Sequence, residues 1–310
     1  MSNNTTDNSS QSNLAVTVVA YYAFFLVIAG TIFNLVTFLV LCRQKFRDTN
    51  ERPTLHYMRA IAIVDILMLY GWNFDHYTKV AHGFQLTRYS IASCKYAGFL
   101  NYFTAQTSAW LRVFICLDRY LSLSRLHRTW FGRPKNVLII IACVTGFFTL
   151  FNLHFIIFTC YHNADGSVNS NSHLYKVYPL WDFVNLAMYI CLPFVFMAFF
   201  NSGVIYHLFR LQRTSTLQNS RIRHRAISIT LVVTTFLFVI MTTPATLAFG
   251  FFYDAASYAV LYTLDSILYT YHILALPLYI ITFDEFRQEF IKIITCNNRA
   301  QRIGPVSTTR

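Results

Sequence analysis

Seven long, largely apolar stretches recur along this 310-residue chain, each expected to cross a lipid bilayer, and this repetition limits the fold more than any motif does. They cover about 16–41, 55–77, 91–123, 134–158, 177–208, 223–252 and 258–282. Each exceeds the roughly 20 residues needed to span the hydrocarbon. Lipid offers no partner to backbone N–H and C=O groups, so each run has to be a helix. Charged residues make up 12% of the chain, against about 25% in a soluble domain. Because the apolar runs recur along the whole length, a soluble fold with one anchor is excluded. The expected class is all-α, a seven-transmembrane helix bundle.

Orientation follows from the Lys and Arg residues in the connections. One side carries Arg43, Lys45, Arg47 and Arg52, then Arg125, Arg128, Arg133 and Lys135, then Arg210, Arg213, Arg221, Arg223 and Arg225, and finally Arg287, Lys292, Arg299, Arg302 and Arg310. The other side has Lys79, Arg88, Lys95 and Lys176. The basic side is expected in the cytoplasm, which places the N-terminus outside. The net charge of +12 is then mostly topology and attraction to anionic lipid, and nucleic acid is not expected as a partner. Residues 1–15 hold three N-x-[ST] sequons at Asn3, Asn4 and Asn8 and lack a basic signal-peptide start, as expected of an extracellular glycosylated tail. After the seventh run, residues 283–296 place Phe283, Phe286, Phe290, Ile293 and Ile294 on one helical face, followed by Cys296. A short amphipathic membrane-surface helix on the inner leaflet, palmitoylated at Cys296, is expected there, with 297–310 as a cytoplasmic tail.

The seven cysteines show no CxxC or Cys/His metal spacing, and no cofactor is expected. Cys42, Cys116, Cys143 and Cys191 fall within or at the ends of apolar runs, as small core residues would. The third run is the organising one. It carries Asp118-Arg119-Tyr120 at its inner end and Arg112 deep inside. An intramembrane charge of this kind points to function and demands a partner.

Seven spans, an outside N-terminus and Asp118-Arg119-Tyr120 together resemble the rhodopsin-like (class A) G-protein-coupled receptors. The resemblance covers about residues 25–296. It is carried further by Gly30 and Asn34 in the first run, Asp65 in the second, Cys94 twenty-five residues before Arg119, the helix prolines Pro193, Pro244 and Pro277, and Phe286-Arg287. The aromatic-rich pattern looks like divergent invertebrate peptide or chemosensory receptors. The family implies a plasma-membrane receptor that binds an extracellular ligand and activates a heterotrimeric G protein, and that is not an enzyme. It implies a disulfide at Cys94, for which Cys160 on the same oxidising side is the partner. It implies a coupling switch in which Asp118 holds Arg119, with Tyr120, Leu123 and Leu126 in apolar contact nearby. Family members often add an acid on the sixth helix, but here that helix begins Arg221-Ile222-Arg223-His224-Arg225.

The chain departs from the family in three places. The seventh run has Leu276-Pro277-Leu278-Tyr279 where the family has Asn-Pro-x-x-Tyr, and Thr242 stands where the family has a Trp before Pro244. Phe238 remains, and Tyr269 or Phe249 is a candidate for the missing aromatic role. Pro244 is expected to kink its helix. In the family, Asn and Ser neighbours surround the buried acid, often with a sodium ion, and Asn34 and Ser108 match them. Arg112 lies where the family is usually apolar. Either it pairs with Asp65, or with polar groups near His272, and takes the place of that ion, or it borders a water-filled cavity.

At the depth where the family binds ligands, the chain offers Asp75, His76, Asn101, Tyr102, Gln106, Asp182, Asn185, Tyr189, Phe249, Asp265, Ser266 and Tyr269. Asn101 stands where amine receptors place an aspartate, which argues against a monoamine. The seventh run has no lysine for a retinal Schiff base. Asp75, Asp182 and Asp265 among aromatics favour a cationic, amphipathic ligand such as a short amidated peptide; alternatively each is a solvated helix end. A transporter or channel is the rival reading, but no internal repeat or broken midplane helix pair is visible. An intramembrane hydrolase lacks a second buried acid beside Asp65, or a Ser/His or HExxH arrangement.

Overall fold

The computed structural model describes residues 4–46, 53–124, 131, 133–214, 219–253 and 255–295, leaving aside the side chains of 4–13 and 211–228. Helix α1 spans Asn4–Leu41, followed by a 3-10 turn at Gln44–Phe46. Next come α2 (Thr54–Leu69), α3 (Trp72–His82), the one-turn α4 (Leu86–Tyr89), α5 (Ile91–Leu123), α6 (Pro134–Phe151) and the short α7 (Leu153–Ile157). A hairpin of β1 (Thr159–His162) and β2 (Val168–Ser172) follows, antiparallel, with Thr159 opposite Ser172. Then come α8 (Leu180–Asn185), a π-helical turn (Leu186–Cys191), α9 (Leu192–Thr214), α10 (Asn219–Phe251), α11 (Tyr258–Tyr271), α12 (Ala275–Thr282) and α13 (Asp284–Ile294).

Among the described residues, five segments are long and apolar enough to cross a membrane: Leu14–Leu41, Thr54–His82, Pro134–Phe151, Leu180–Arg210 and Ile229–Phe251. The pair Tyr258–Tyr271 and Ala275–Thr282 makes a sixth, bent by 43°. Helix α5, at 33 residues about 50 Å long, completes the bundle, although it is too polar to qualify by hydropathy. The reason is its position. Asn101, Thr104, Gln106, Thr107 and Ser108 are all buried against other helices, so α5 needs little lipid-compatible surface. The outward faces of the other helices carry the opposite pattern, with Leu35, Ile139, Phe147, Phe199, Phe236, Ile240 and Ile281 exposed. Such a broad apolar exterior fits a lipid environment. Cys42, Cys143 and Cys191 are exposed and only Cys116 is buried, which corrects the expectation that all four are core residues.

Three of the expected continuous runs are interrupted. The second breaks at Tyr70–Gly71, where Gly71 opens α3 outside the helical region and turns Trp72 inward. The fourth breaks at Asn152, whose amide nitrogen donates to the Phe148 carbonyl at 2.9 Å and to Gln106 Oε1 at 2.8 Å. The seventh breaks between Tyr271 and Ala275. Pro277 has no N–H for the carbonyl of Ile273, and its ring crowds that carbonyl, so the chain makes i→i+3 bonds at His272, Ile273 and Leu274 instead. In the fifth run Pro193 acts on the Tyr189 carbonyl in the same way, and the π turn lies just ahead of it. The Trp110 indole N–H donates to the Met188 carbonyl of this turn at 2.8 Å. Helix α10, by contrast, runs through Pro244 without interruption.

At the Arg119 end, α13 docks by its Phe286 side chain, which is buried beside Phe283 and Phe46. Arg59 donates from Nη2 to the carbonyls of Leu41 (2.7 Å) and Phe46 (2.9 Å), satisfying acceptors left over at the end of α1. Of the apolar face expected for α13, Phe290 and Ile293 pack against the core, but Ile294 is exposed.

Two glycines separate close packing from open surface. A Cβ on Gly30 would collide with Ile273 Cγ2 and Leu69 Cδ1, whereas one on Gly146 would meet nothing within 4 Å. Gly30→Ala is expected to cost about 1–3 kcal/mol through overpacking, and Gly146→Ala to be neutral or stabilising by up to about 1 kcal/mol. Thermal unfolding midpoints of the detergent-purified protein check both.

Candidate functional site

The side chains singled out from the sequence assemble at three depths along α5. Nearest Cys94, the disulfide to Cys160 joins the start of α5 to β1, with Cα atoms 6.1 Å apart. The capping box of Ser90 and Ser93 fixes the same helix start. Further along α5, at the level of Asn101 to Ala105, opens a cavity with about 440 Å³ of space between its atoms, including the part open to solvent. Asn101, Tyr102, Asp182, Asn185, Tyr189, Phe249, Asp265 and Tyr269 line it, together with Met68, Trp72, Ala105, Thr246 and Leu268, which the sequence reading did not name. Trp72 packs against Tyr102 and Phe249, with centroids 5.7 and 6.2 Å away. The break at Gly71 is the one signal that could have found it.

Four residues expected at this depth do not line the cavity. Asp75 accepts the backbone N–H of Leu86 and the Thr87 hydroxyl (3.3 Å), so it organises the α3–α4 connection. His76 lies behind Asp265, its Nε2 3.5 Å from Oδ2 and its ring stacked on Tyr262. Gln106 donates to Asn185 (3.2 Å) and accepts from Asn152. Ser266 is buried. The acidic mouth expected from three aspartates is therefore made of two, Asp182 and Asp265. Asp182 accepts the Tyr102 hydroxyl proton at 2.9 Å. Asp265 is buried, and its Oδ2 makes no hydrogen bond.

At mid-depth, Asp65 is fully buried and its oxygens meet three donors. Arg112 Nη2 lies 2.7 Å from Oδ2, and the Ser108 hydroxyl (2.5 Å) and His272 Nδ1 (2.8 Å) reach Oδ1. Arg112 also donates to the Ser108 hydroxyl and carbonyl and lies over the Tyr271 ring, 5.0 Å from its centroid. The expected neighbour Asn34 does not touch Asp65. Its amide donates to the carbonyls of Gly30 and His272, both at 3.0 Å, and so ties α1 to the break in the seventh span. His272 Nε2 is 3.0 Å from the Tyr189 hydroxyl. Phe238 packs edge-on against Tyr189 and Tyr271, at 5.4 and 5.5 Å.

At the far end of α5, Asp118 and Arg119 are both buried. Arg119 Nε is 3.8 Å from Asp118 Oδ2. Thr54, which the sequence reading missed, stands between them: it donates to Asp118 Oδ2 at 2.5 Å and accepts from Arg119 Nη2. Tyr120 lies against Gly203, where a Cβ would meet its ring at 2.5 Å. Leu123 is half-buried. Leu126, Asn3 and Cys296 lie outside the described residues, as do the side chains of Asn4 and Asn8. No cluster of His, Cys, Asp or Glu able to hold a metal occurs among the described residues.

Removing one partner of a buried ion pair strands the other. Arg112→Met is expected to destabilise the protein by about 3–5 kcal/mol, and Asp65→Asn combined with Arg112→Met to recover most of that loss. Thermal midpoints of the two single variants and the double variant, showing strong non-additivity, check this.

No curated protein matches the chain. The family model of the seven-transmembrane receptors of the rhodopsin family matches residues 33–276. That match covers most of the chain, including the organising helix, the buried ion cluster and the arginine at its end. The chain belongs to the rhodopsin family of seven-transmembrane receptors, and it is a G-protein-coupled signalling receptor rather than an enzyme.

Proposed function

We propose that this receptor lies in the plasma membrane with its N-terminus and the Cys94–Cys160 disulfide outside, and admits a cationic, amphipathic ligand to the cavity between α3, α5, α8, α10 and α11. A short amidated peptide carrying an arginine and an aromatic residue fits best. The observation that carries this reading is the pair Asp182 and Asp265 in a wall of aromatic side chains. A buried carboxylate oxygen without a hydrogen bond, as at Asp265, is costly until a donor arrives. Trp72, Tyr102 and Phe249 supply ring faces for a cation and for apolar contact. The basic connections on the Arg119 side, and a disulfide that persists only in an oxidising compartment, support the orientation.

At the cytoplasmic end, Arg119 is the group that a heterotrimeric G protein engages once it leaves Asp118 and Thr54. The ligand acts by shifting the population toward the bundle in which that exchange is made. The restraint in the resting state is light. The sixth helix contributes no acid in its opening Arg221-Ile222-Arg223-His224-Arg225, and the Arg119–Asp118 contact is long at 3.8 Å. Basal signalling is therefore part of this reading.

A peptide library screened on cells expressing the chain tests the ligand class, and guanine-nucleotide-sensitive binding of the hit in membranes tests coupling. Asp265→Asn and Asp182→Asn are each expected to weaken binding of a cationic hit by roughly tenfold or more, about 1.4 kcal/mol; unchanged affinity in both would refute the acidic cavity. Basal nucleotide exchange is expected above that of membranes lacking the receptor. Thr54→Val, which removes the bridging hydroxyl, is expected to raise it roughly fivefold, the equivalent of about 1 kcal/mol.

A further inference from the structure

A tyrosine hydroxyl has one proton to give and lone pairs to accept with, so the direction of each bond it makes decides what it offers a ligand. Tyr102 gives its proton to Asp182 Oδ1, and Tyr269 gives its proton to the side-chain oxygen of Asn101, both at 2.9 Å. Tyr189, the third tyrosine on the lining, faces His272 Nε2 at 3.0 Å. The sense of that bond depends on which imidazole nitrogen carries hydrogen.

Two observations fix it. His272 Nδ1 lies 2.8 Å from Asp65 Oδ1, and an ionised carboxylate only accepts, so Nδ1 carries the hydrogen. Asp65 is already balanced by Arg112 at 2.7 Å. The His272 side chain is fully buried, and a second cation beside that pair would leave a net buried charge. The imidazole is therefore neutral, Nε2 is bare, and Tyr189 donates to it. The hydroxyl of Tyr189 keeps only lone pairs for the cavity.

We propose that His272, which stands outside the cavity, is a positioning residue that fixes Tyr189 as a hydrogen-bond acceptor on the cavity lining, and that the ligand group reaching this depth is a multi-donor cation of the guanidinium class. This rests on the reading of the cavity as the ligand site. With the protons of Tyr102 and Tyr269 committed in the same way, a ligand carbonyl or carboxylate meets lone pairs at all three tyrosines. A guanidinium has five N–H donors and no acceptor, and it can satisfy Tyr189 and the Asp265 carboxylate on the lining, whose Oδ2 has His76 Nε2 3.5 Å away but makes no hydrogen bond, without breaking a hydrogen bond already made.

The test uses the full chain in lipid nanodiscs, labelled with ¹⁵N-histidine. Among ten histidines, His272 is identified by subtraction of the His272→Asn spectrum. If that variant does not fold, Tyr189→Phe identifies it instead, because that change moves the Nε2 resonance and leaves Nδ1. Hydrogen on Nδ1 and a bare Nε2 are expected; hydrogen on Nε2 overturns the assignment of Tyr189 as an acceptor. Ligand class is read with argininamide and citrullinamide, which share a shape and differ by a carbonyl oxygen in place of an amidinium nitrogen. Argininamide is expected to raise the thermal midpoint by about 2–4 °C and citrullinamide by less, with the gap narrowing in His272→Asn, where the Tyr189 proton is released. Equal shifts from the two probes, or none from argininamide, overturn the donor class. Either failure leaves the receptor reading standing; that reading falls separately if the binding of a library hit ignores guanine nucleotides.

Discussion

The structure depends on one charge balance, the carboxylate of Asp65 against the guanidinium of Arg112. An arginine at membrane depth costs about 3 kcal/mol or more if left to lipid, and a buried carboxylate is no cheaper. Together, at 2.7 Å, they neutralise each other and join α2 to α5. Ser108 and His272 occupy the other carboxylate oxygen, which brings in the break of the seventh span. Asn34 then ties that break to α1. Four spans are held in register by polar groups whose alternative partners in lipid would be none.

The same arrangement recurs at the end of α5. In both places an aspartate, a hydroxyl and an arginine form a triangle. Ser108 donates to Asp65 and accepts from Arg112, and Thr54 donates to Asp118 and accepts from Arg119. A hydroxyl suits the position because it gives and accepts at once. The two triangles differ in what surrounds them. The upper one is enclosed and reinforced by His272, so it is a fixed joint. In the lower one the ion contact between Arg119 and Asp118 is longer, at 3.8 Å, and no histidine joins the described triangle. Between the cavity and the upper triangle the link is short: Tyr189 lines the first and reaches the second through His272.

Much of this was legible in the chain. Period and length of apolar runs gave the bundle, because lipid leaves the backbone no choice but helices. Arg112 announced itself as a charge that needed a partner, and Asp65 was among the candidates named for it. Asp118, Arg119, Cys94 and Cys160 stood out by residue type and position. Other features were hidden. Thr54 and Trp72 are ordinary residues in the sequence, and only the crossing of α2 with α5 and the break at Gly71 give them a role. Asp75 looked equivalent to Asp182 and Asp265, yet it turns to the N–H groups of the α3–α4 connection.

The amino-acid sequence by itself determined that the chain is a membrane-embedded helical bundle with charges at two depths of its third helix, since hydrophobic run length and the cost of an unpaired intramembrane charge are properties of the chain alone. Tertiary structure decided which groups those charges meet, which aspartates face the cavity, and which way the hydrogen bond of Tyr189 points. Those outcomes depend on distances of about 3 Å between residues on different helices, and such distances are set by how the helices bend at Gly71, at the π turn before Pro193 and at the break before Pro277.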